Sequence, residues 1–170
     1  GETMSVSTNA ILFYGYCWEE DVLLLGDDGP DADWPERILR KRGEVNPWDS
    51  YPYGEDDRMS RSEWWKLQEA WVKEHREVID AWNAKEKAVR QEFGNVDLHW
   101  HGSDGCSMPY LSVEESCLTA RRGYPKEFCP ELLYLHDLRA WDAALNCWLA
   151  EFAVEKPHDR PRWWLVSYWG

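Results

Sequence analysis

The sequence predicts an α+β sandwich of ferredoxin-like βαββαβ order, in which a four-stranded antiparallel sheet carries two helices on one face. Three observations predict it. Apolar strands stand at both ends of the chain, two long segments carry a helical stripe, and an alternating hairpin lies between those segments. A long insertion separates the first strand from the first helix.

The last stretch, Arg162 to Gly170, holds three of the 13 tryptophans and is entered through Pro161. Its β-branched and aromatic content reads as a strand with large apolar groups on both faces. A terminal strand of that kind needs a covered partner. The other apolar strand, residues 10–18, is the natural one, so the first and last strands are expected side by side in one sheet.

Residues 19–60 form an acidic, Gly- and Pro-rich insertion. Within it, Asp33 to Gly43 has a capping candidate, an early proline, basic residues late and a closing glycine, which predicts a short helix. A structureless loop of this length is uncommon unless it lies down on something, so Trp48, Tyr51 and Tyr53 are expected to be packed. Ser60-x-x-Glu63 then opens a helix whose stripe runs Trp64, Leu67, Trp71, His75, Val78, Trp82, Val89 and Phe93, and Gly94-Asn95 stops it. Thirty or so residues at about 1.5 Å each exceed what a small sheet covers, so part of the helix is expected either to project or to break near Asn83.

Val96 to His101 alternates strictly, a turn follows at Gly102 to Gly105, and residues 110–118 return as the next strand. A second helix is read from Pro130, striped by Leu135, Leu138, Trp141, Leu145, Trp148 and Phe152, and ending before Pro157.

Composition bounds the rest. At 170 residues and 20.1 kDa the chain reads as a single domain. Met4, behind Gly1-Glu2-Thr3, reads as the native start. The formal net charge of -13 opposes direct nucleic-acid binding, because phosphates are held by Lys and Arg. It favours solubility, a basic partner, or mimicry of a polyanion. Five cysteines, an odd number without C-x-x-C spacing, fit a reducing compartment, and the absence of a long apolar run or leader predicts a cytoplasmic protein that meets no membrane.

Pleating divides the middle hairpin into two faces. Val96, Leu98, Trp100, Leu111, Val113 and Cys117 are assigned to the helix-covered side. Asp97, His99, His101, Tyr110, Ser112, Glu114 and Ser116 then share the open side, joined by Tyr14 and Tyr16 from the first strand. The candidate ligand site is accordingly Tyr14, Tyr16, His99, His101, Tyr110 and Glu114, with Ser103 and Asp104 at its rim. Aromatic planes and polar tips of this kind suit a binding site, and the alternative is that the insertion simply covers the face. His99-x-His101 is a weak metal signal without further ligands at spacing, and no metal, cofactor or catalytic residue is assigned. No cysteine has a His partner recognisable from spacing, and no Gly-rich turn forms a phosphate loop. Two basic groups, Arg37 with Arg40, Lys41 and Arg42, and Arg121 with Arg122, are alternative grips for an anionic ligand.

Several segments together carry a resemblance: Thr8 to Tyr16, Gly102-Ser103-Asp104 followed by Met108 to Leu111, Arg122-Gly123, and Arg160 to Gly170. In these the chain resembles a group of small uncharacterised proteins encoded by phages of actinobacteria. The resemblance covers about a third of the chain and leaves out the insertion. It implies an accessory role in infection and offers no catalytic residues to carry over. The expected function is binding, through inhibition or sequestration of a host defence protein or a small anionic ligand. A small hydrolase or phosphoesterase using His99 and His101, and an acidic interaction module or nucleic-acid mimic, are the alternatives.

Overall fold

The computed structural model describes residues 8–18, 33–52, 60–103, 106–121, 123–124, 126–129, 131, 133 and 137–169, and every structural statement below concerns these. The strands are β1 (Thr8–Cys17), β2 (Val96–Ser103), β3 (Cys106–Val113), β4 (Leu118–Ala120) and β5 (Arg162–Trp169). The helices are α1 (Trp34–Lys41), α2 (Arg61–Glu74), α3 (Arg76–Glu92) and α4 (Leu138–Glu151). The class is α+β with a mostly antiparallel sheet. Two compact units result, one from residues 1–32 with 90–170 and one from residues 33–89.

In the first unit, β1 is the axis. It pairs antiparallel with β5 over its length, from Thr8 opposite Trp169 to Gly15 opposite Arg162, so the first and last strands do share one sheet. Its other edge takes β4 at residues 10–12 and β3 at residues 15–17. Between these two contacts the 3-10 turn Glu114–Ser116 interrupts the ladder opposite Tyr14. The hydroxyl of Ser116 mends that gap, accepting the Tyr14 N–H at 3.0 Å while donating to the Val113 carbonyl at 2.6 Å. A buried amide left without a partner would cost about 1–3 kcal/mol, which makes this small buried serine structural.

β2 returns on β3 as a hairpin from Val96 opposite Val113 to Ser103 opposite Cys106, and meets β5 in parallel where Gly102 faces Tyr168. At Gly15 the strands come so close that a Cβ would stand 1.8 Å from the Leu111 carbonyl oxygen. Only glycine fits there.

The helix α4 covers one face of this sheet. Asp137 caps it by accepting the Arg139 N–H, and Trp141, Leu145, Trp148 and Leu149 form its buried stripe. Val96, Leu98, Leu111 and Val113 are buried with them in the core. After α3, Gly94 takes a left-handed φ of 68° and a side chain there would meet the Ala144 Cβ at 2.7 Å, so the predicted stop also permits close packing of α4.

The second unit holds α1, the 3-10 turn Pro47–Ser50, α2 and most of α3. Trp34, Ile38 and Leu39 bury one side of α1. The Trp48 ring lies 5.1 Å from that of Trp71, and the Tyr51 ring stands edge-on to Trp71 at 5.1 Å and to Trp64 at 6.5 Å. These two insertion aromatics are packed, as expected; Tyr53 lies outside the described residues. The Ser60–Glu63 capping box is present in both directions.

Several predicted bounds move. The long helix breaks at His75 instead of near Asn83: the His75 ring stacks on Trp71 at 4.3 Å and its Nδ1 lies 2.9 Å from the Trp71 carbonyl, where ring and backbone share one acceptor. Two helices of 14 and 17 residues replace one. The last helix begins at Leu138, because Asp137 is the residue that caps it; Leu135 lies outside the described residues. The strand read at 110–118 is two strands with the 3-10 turn between them, and the sheet has five strands by this division.

Candidate functional site

Alternation places neighbours of β1 on opposite faces, and the structure assigns those faces differently from the sequence reading. Tyr14 and Tyr16 lie on the α4 side. The Tyr14 hydroxyl donates to Asp142 at 2.7 Å and the Tyr16 hydroxyl to the Asn146 side-chain oxygen at 3.3 Å. The Tyr14 ring also packs on Trp141 and Trp163 at 5.8 and 5.4 Å. Burial, together with the bond to the Asp142 carboxylate, holds the Tyr14 phenol far above its ordinary ionisation range; burial also raises Tyr16. Neither tyrosine joins the histidines.

On the other face stand Phe13 and Cys17, stacked or packed with Tyr110 and flanked by Ile11, Trp164 and Val166. Phe13 and Tyr110 lie face to face at 4.3 Å, an arrangement that adds about 0.5–1.5 kcal/mol beyond area burial. Cys117 belongs to this cluster, with Sγ 3.3 Å from Ser112 Oγ, and not to the helix-covered side. The 3-10 turn shifts the alternation after Val113 and turns it there.

His99, His101 and Tyr110 do come together, with ring centroids 5.3 and 6.0 Å from Tyr110. Their environments differ. The His99 side chain is 42% exposed, with Nε2 3.4 Å from Asp97, whose other oxygen accepts from Arg90. His101 is buried, and its Nε2 lies 3.4 Å from Cys17 Sγ. Burial pulls the His101 pKa down, opposed by a hydrogen bond to the backbone of Ser167. Glu114 is exposed on the 3-10 turn. Ser103 is paired in the hairpin through its backbone, and Asp104 lies outside the described residues.

Spacing gave no sign of the Cys17–His101 contact, because 84 residues separate the partners. The register of the strands was the missing information. Among the described residues no three His, Cys, Asp or Glu side chains are placed to hold a metal ion. The basic group on α1 is already engaged, since Arg40 binds Glu36 at 2.6 Å and both oxygens of Asp49 at 2.6 and 2.8 Å.

An open feature lies on the α4 side, at the β1–β4 edge. There Leu12, Leu118, Leu133, Phe128 and Trp163 line a groove of about 100 Å³ beside Glu115, Ser116 and Cys117. Trp141 Nε1 donates to Glu115 Oε1 at 2.6 Å and fixes that carboxylate at the rim. A single acidic group set among apolar walls is suited to the tip of a cationic side chain, whose methylenes bury while its head is neutralised. Among the described residues no helix is long and apolar enough to cross a membrane. No protein-family profile, curated protein or solved structure matches this chain.

Proposed function

We propose that this chain is a binding protein, a phage-encoded accessory factor that occupies a basic segment of a host protein in the cytoplasm. The observation that carries the reading is the groove of Leu12, Leu118, Phe128, Leu133 and Trp163 with Glu115 at its rim. Charge supports it. Residues 1–32 and 90–170 hold 19 of the 32 acidic side chains and only 8 of the 19 basic ones, so the unit bearing the groove carries most of the negative potential. Such a field steers a basic partner and weakens with salt. The groove, at about 100 Å³, has room for the end of one lysine side chain.

The fold itself we read as a ferredoxin-like variant. The antiparallel neighbours β5–β1, β1–β3 and β3–β2 support that reading. The 3-10 interruption and the parallel β2–β5 contact are its departures.

Titrating the full chain with a tetralysine peptide at low salt, followed calorimetrically, tests the function. Binding is expected to weaken at least tenfold in Phe128→Ala and Glu115→Gln, with tetraglutamate inert. Equal affinity of both variants and the parent chain for tetralysine would mean that the groove is not the docking place.

A further inference from the structure

The three strand ends β1, β2 and β5 bring together a thiol, an imidazole and a backbone acceptor, and we propose that Cys17 is a nucleophilic thiol activated by His101, competent for acyl transfer from small neutral esters. The geometry has the three parts such a centre needs. Cys17 Sγ lies 3.4 Å from His101 Nε2, within reach for a sulfur donor. The His101 ring is held a second time by the Ser167 backbone, a bond that favours the protonated ring and therefore has the imidazole donating to the carbonyl. In the tautomer that carries its proton on Nδ1, Nε2 is the acceptor facing the thiol.

Cys17 is itself anchored. Its carbonyl accepts from His158 Nε2 at 2.9 Å, and the His158 ring packs on Trp164 at 5.0 Å. Thiol, base and orienting carbonyl thus sit on three paired strands, where the sheet fixes them more firmly than loops would. The walls are Phe13 and Tyr110, which suit an uncharged acyl group. His99, two residues before His101 on the same face, is 42% exposed, while Cys17 and His101 are buried. The other titratable groups near the pair are Asp97 and His99 on β2, Tyr110 on β3, Cys117 after the 3-10 turn, and His158.

In the reaction His101 Nε2 takes the thiol proton as sulfur bonds to the acyl carbon. The ester C–O bond breaks, and the departing alcohol takes the proton back from the imidazolium. Water, losing a proton to the same nitrogen, then cleaves the thioester, which releases the carboxylic acid and restores the thiol. Burial keeps His101 neutral near pH 7, the form that can accept a proton.

The probe is p-nitrophenyl acetate on the intact chain, read by p-nitrophenol release and by mass spectrometry of peptides covering all five cysteines. The expected result is acetyl on Cys17, with release falling about a hundredfold in Cys17→Ser and in His101→Gln, the usual scale of general-base assistance. Acetyl found only on the exposed Cys129 and Cys147 would overturn the proposal, as would unchanged release from folded Cys17→Ser. Should His101→Gln fail to fold, alkylation of the parent chain by iodoacetamide between pH 5 and 9 decides. A Cys17 rate that stays measurable below the range where Cys129 reacts supports the pair; a Cys17 that reacts only after denaturation refutes it.

Discussion

The two faces of one strand make the most instructive contrast in this molecule. On β1, Tyr14 and Tyr16 point toward α4 and end in polar partners supplied by that helix, Asp142 and Asn146. Phe13 and Cys17, their immediate neighbours, point the other way into a cluster made only of strand and turn residues, with His101 as its polar member. Both faces are buried, yet they satisfy their polar groups by different means. The helix side uses a carboxylate and a carboxamide that stay in reach of water. The other side turns thiol and imidazole upon each other. A buried phenol beside a carboxylate is held neutral and inert, whereas a buried thiol beside an imidazole is poised to exchange a proton.

The largest effect is expected where the two faces are joined. Gly15→Ala would drive a Cβ to 1.8 Å from the Leu111 carbonyl, and backbone on both sides has no rotamer with which to yield. The loss should reach the upper end of the roughly 1–3 kcal/mol typical of overpacking. Urea unfolding followed by tryptophan fluorescence measures it. A change under about 0.5 kcal/mol would show that β1 and β3 separate freely there, and the contrast between the faces would then lose its common hinge.

Tyr14→Phe tests the helix face alone. It removes a hydroxyl bonded to Asp142 at 2.7 Å, and a bond to a charged acceptor is worth about 1.5–3 kcal/mol before relaxation. Because the folded phenol is raised above its unfolded value, by burial first and the Asp142 bond second, the folded state holds that proton more tightly. The contribution is complete below about pH 10 and is lost as pH rises through the folded value. Stability of the parent chain should therefore fall above about pH 10 more steeply than that of Tyr14→Phe. Parallel curves would show that the bond does not persist in solution.

How much of this was legible follows from what alternation can and cannot say. Pleating tells which residues share a face, and the grouping of His99, His101 and Tyr110 came from it. It does not tell which face a helix will cover. Along β1 both sets, Ile11, Phe13 and Cys17 against Leu12, Tyr14 and Tyr16, are apolar enough to be buried. The polar tips of the tyrosines suggested the solvent side, but a hydroxyl is as well satisfied by Asp142 as by water. The pairing of β1 with β5 was legible because two apolar strands had no other way to cover themselves. The 3-10 turn was not, since Glu114-Glu115-Ser116 carries no glycine or proline to announce it, and its insertion is what moved Cys117 across the sheet. The Cys17–His101 contact depends on register between distant strands, which no local pattern encodes.

The smallest expected effect sharpens the contrast within a single strand. His99 and His101 share a face of β2, two residues apart, and alternation alone treats them as equivalent. The structure separates them. The His99 side chain is 42% exposed and its ion partner, Asp97, is also bound to Arg90, so His99→Ala leaves no buried group unsatisfied. Its cost should be under about 0.5 kcal/mol, the range of exposed surface changes. His101→Ala instead empties a buried position and removes the contact to the Cys17 thiol and the bond to the Ser167 backbone, for an expected loss of about 2 kcal/mol. The pH dependence separates them further. The folded pKa of His101 is depressed by burial, so the unfolded chain binds its proton first, and the stability it provides is complete above about pH 6.5 and lost as pH falls. Urea midpoints between pH 5 and 8 should show that acid loss in the parent chain and in His99→Ala alike, and a weaker one in His101→Ala. If His99→Ala removed the acid dependence and His101→Ala kept it, the buried imidazole would be the wrong one, and the distinction between the solvent end and the thiol end of this face would fail.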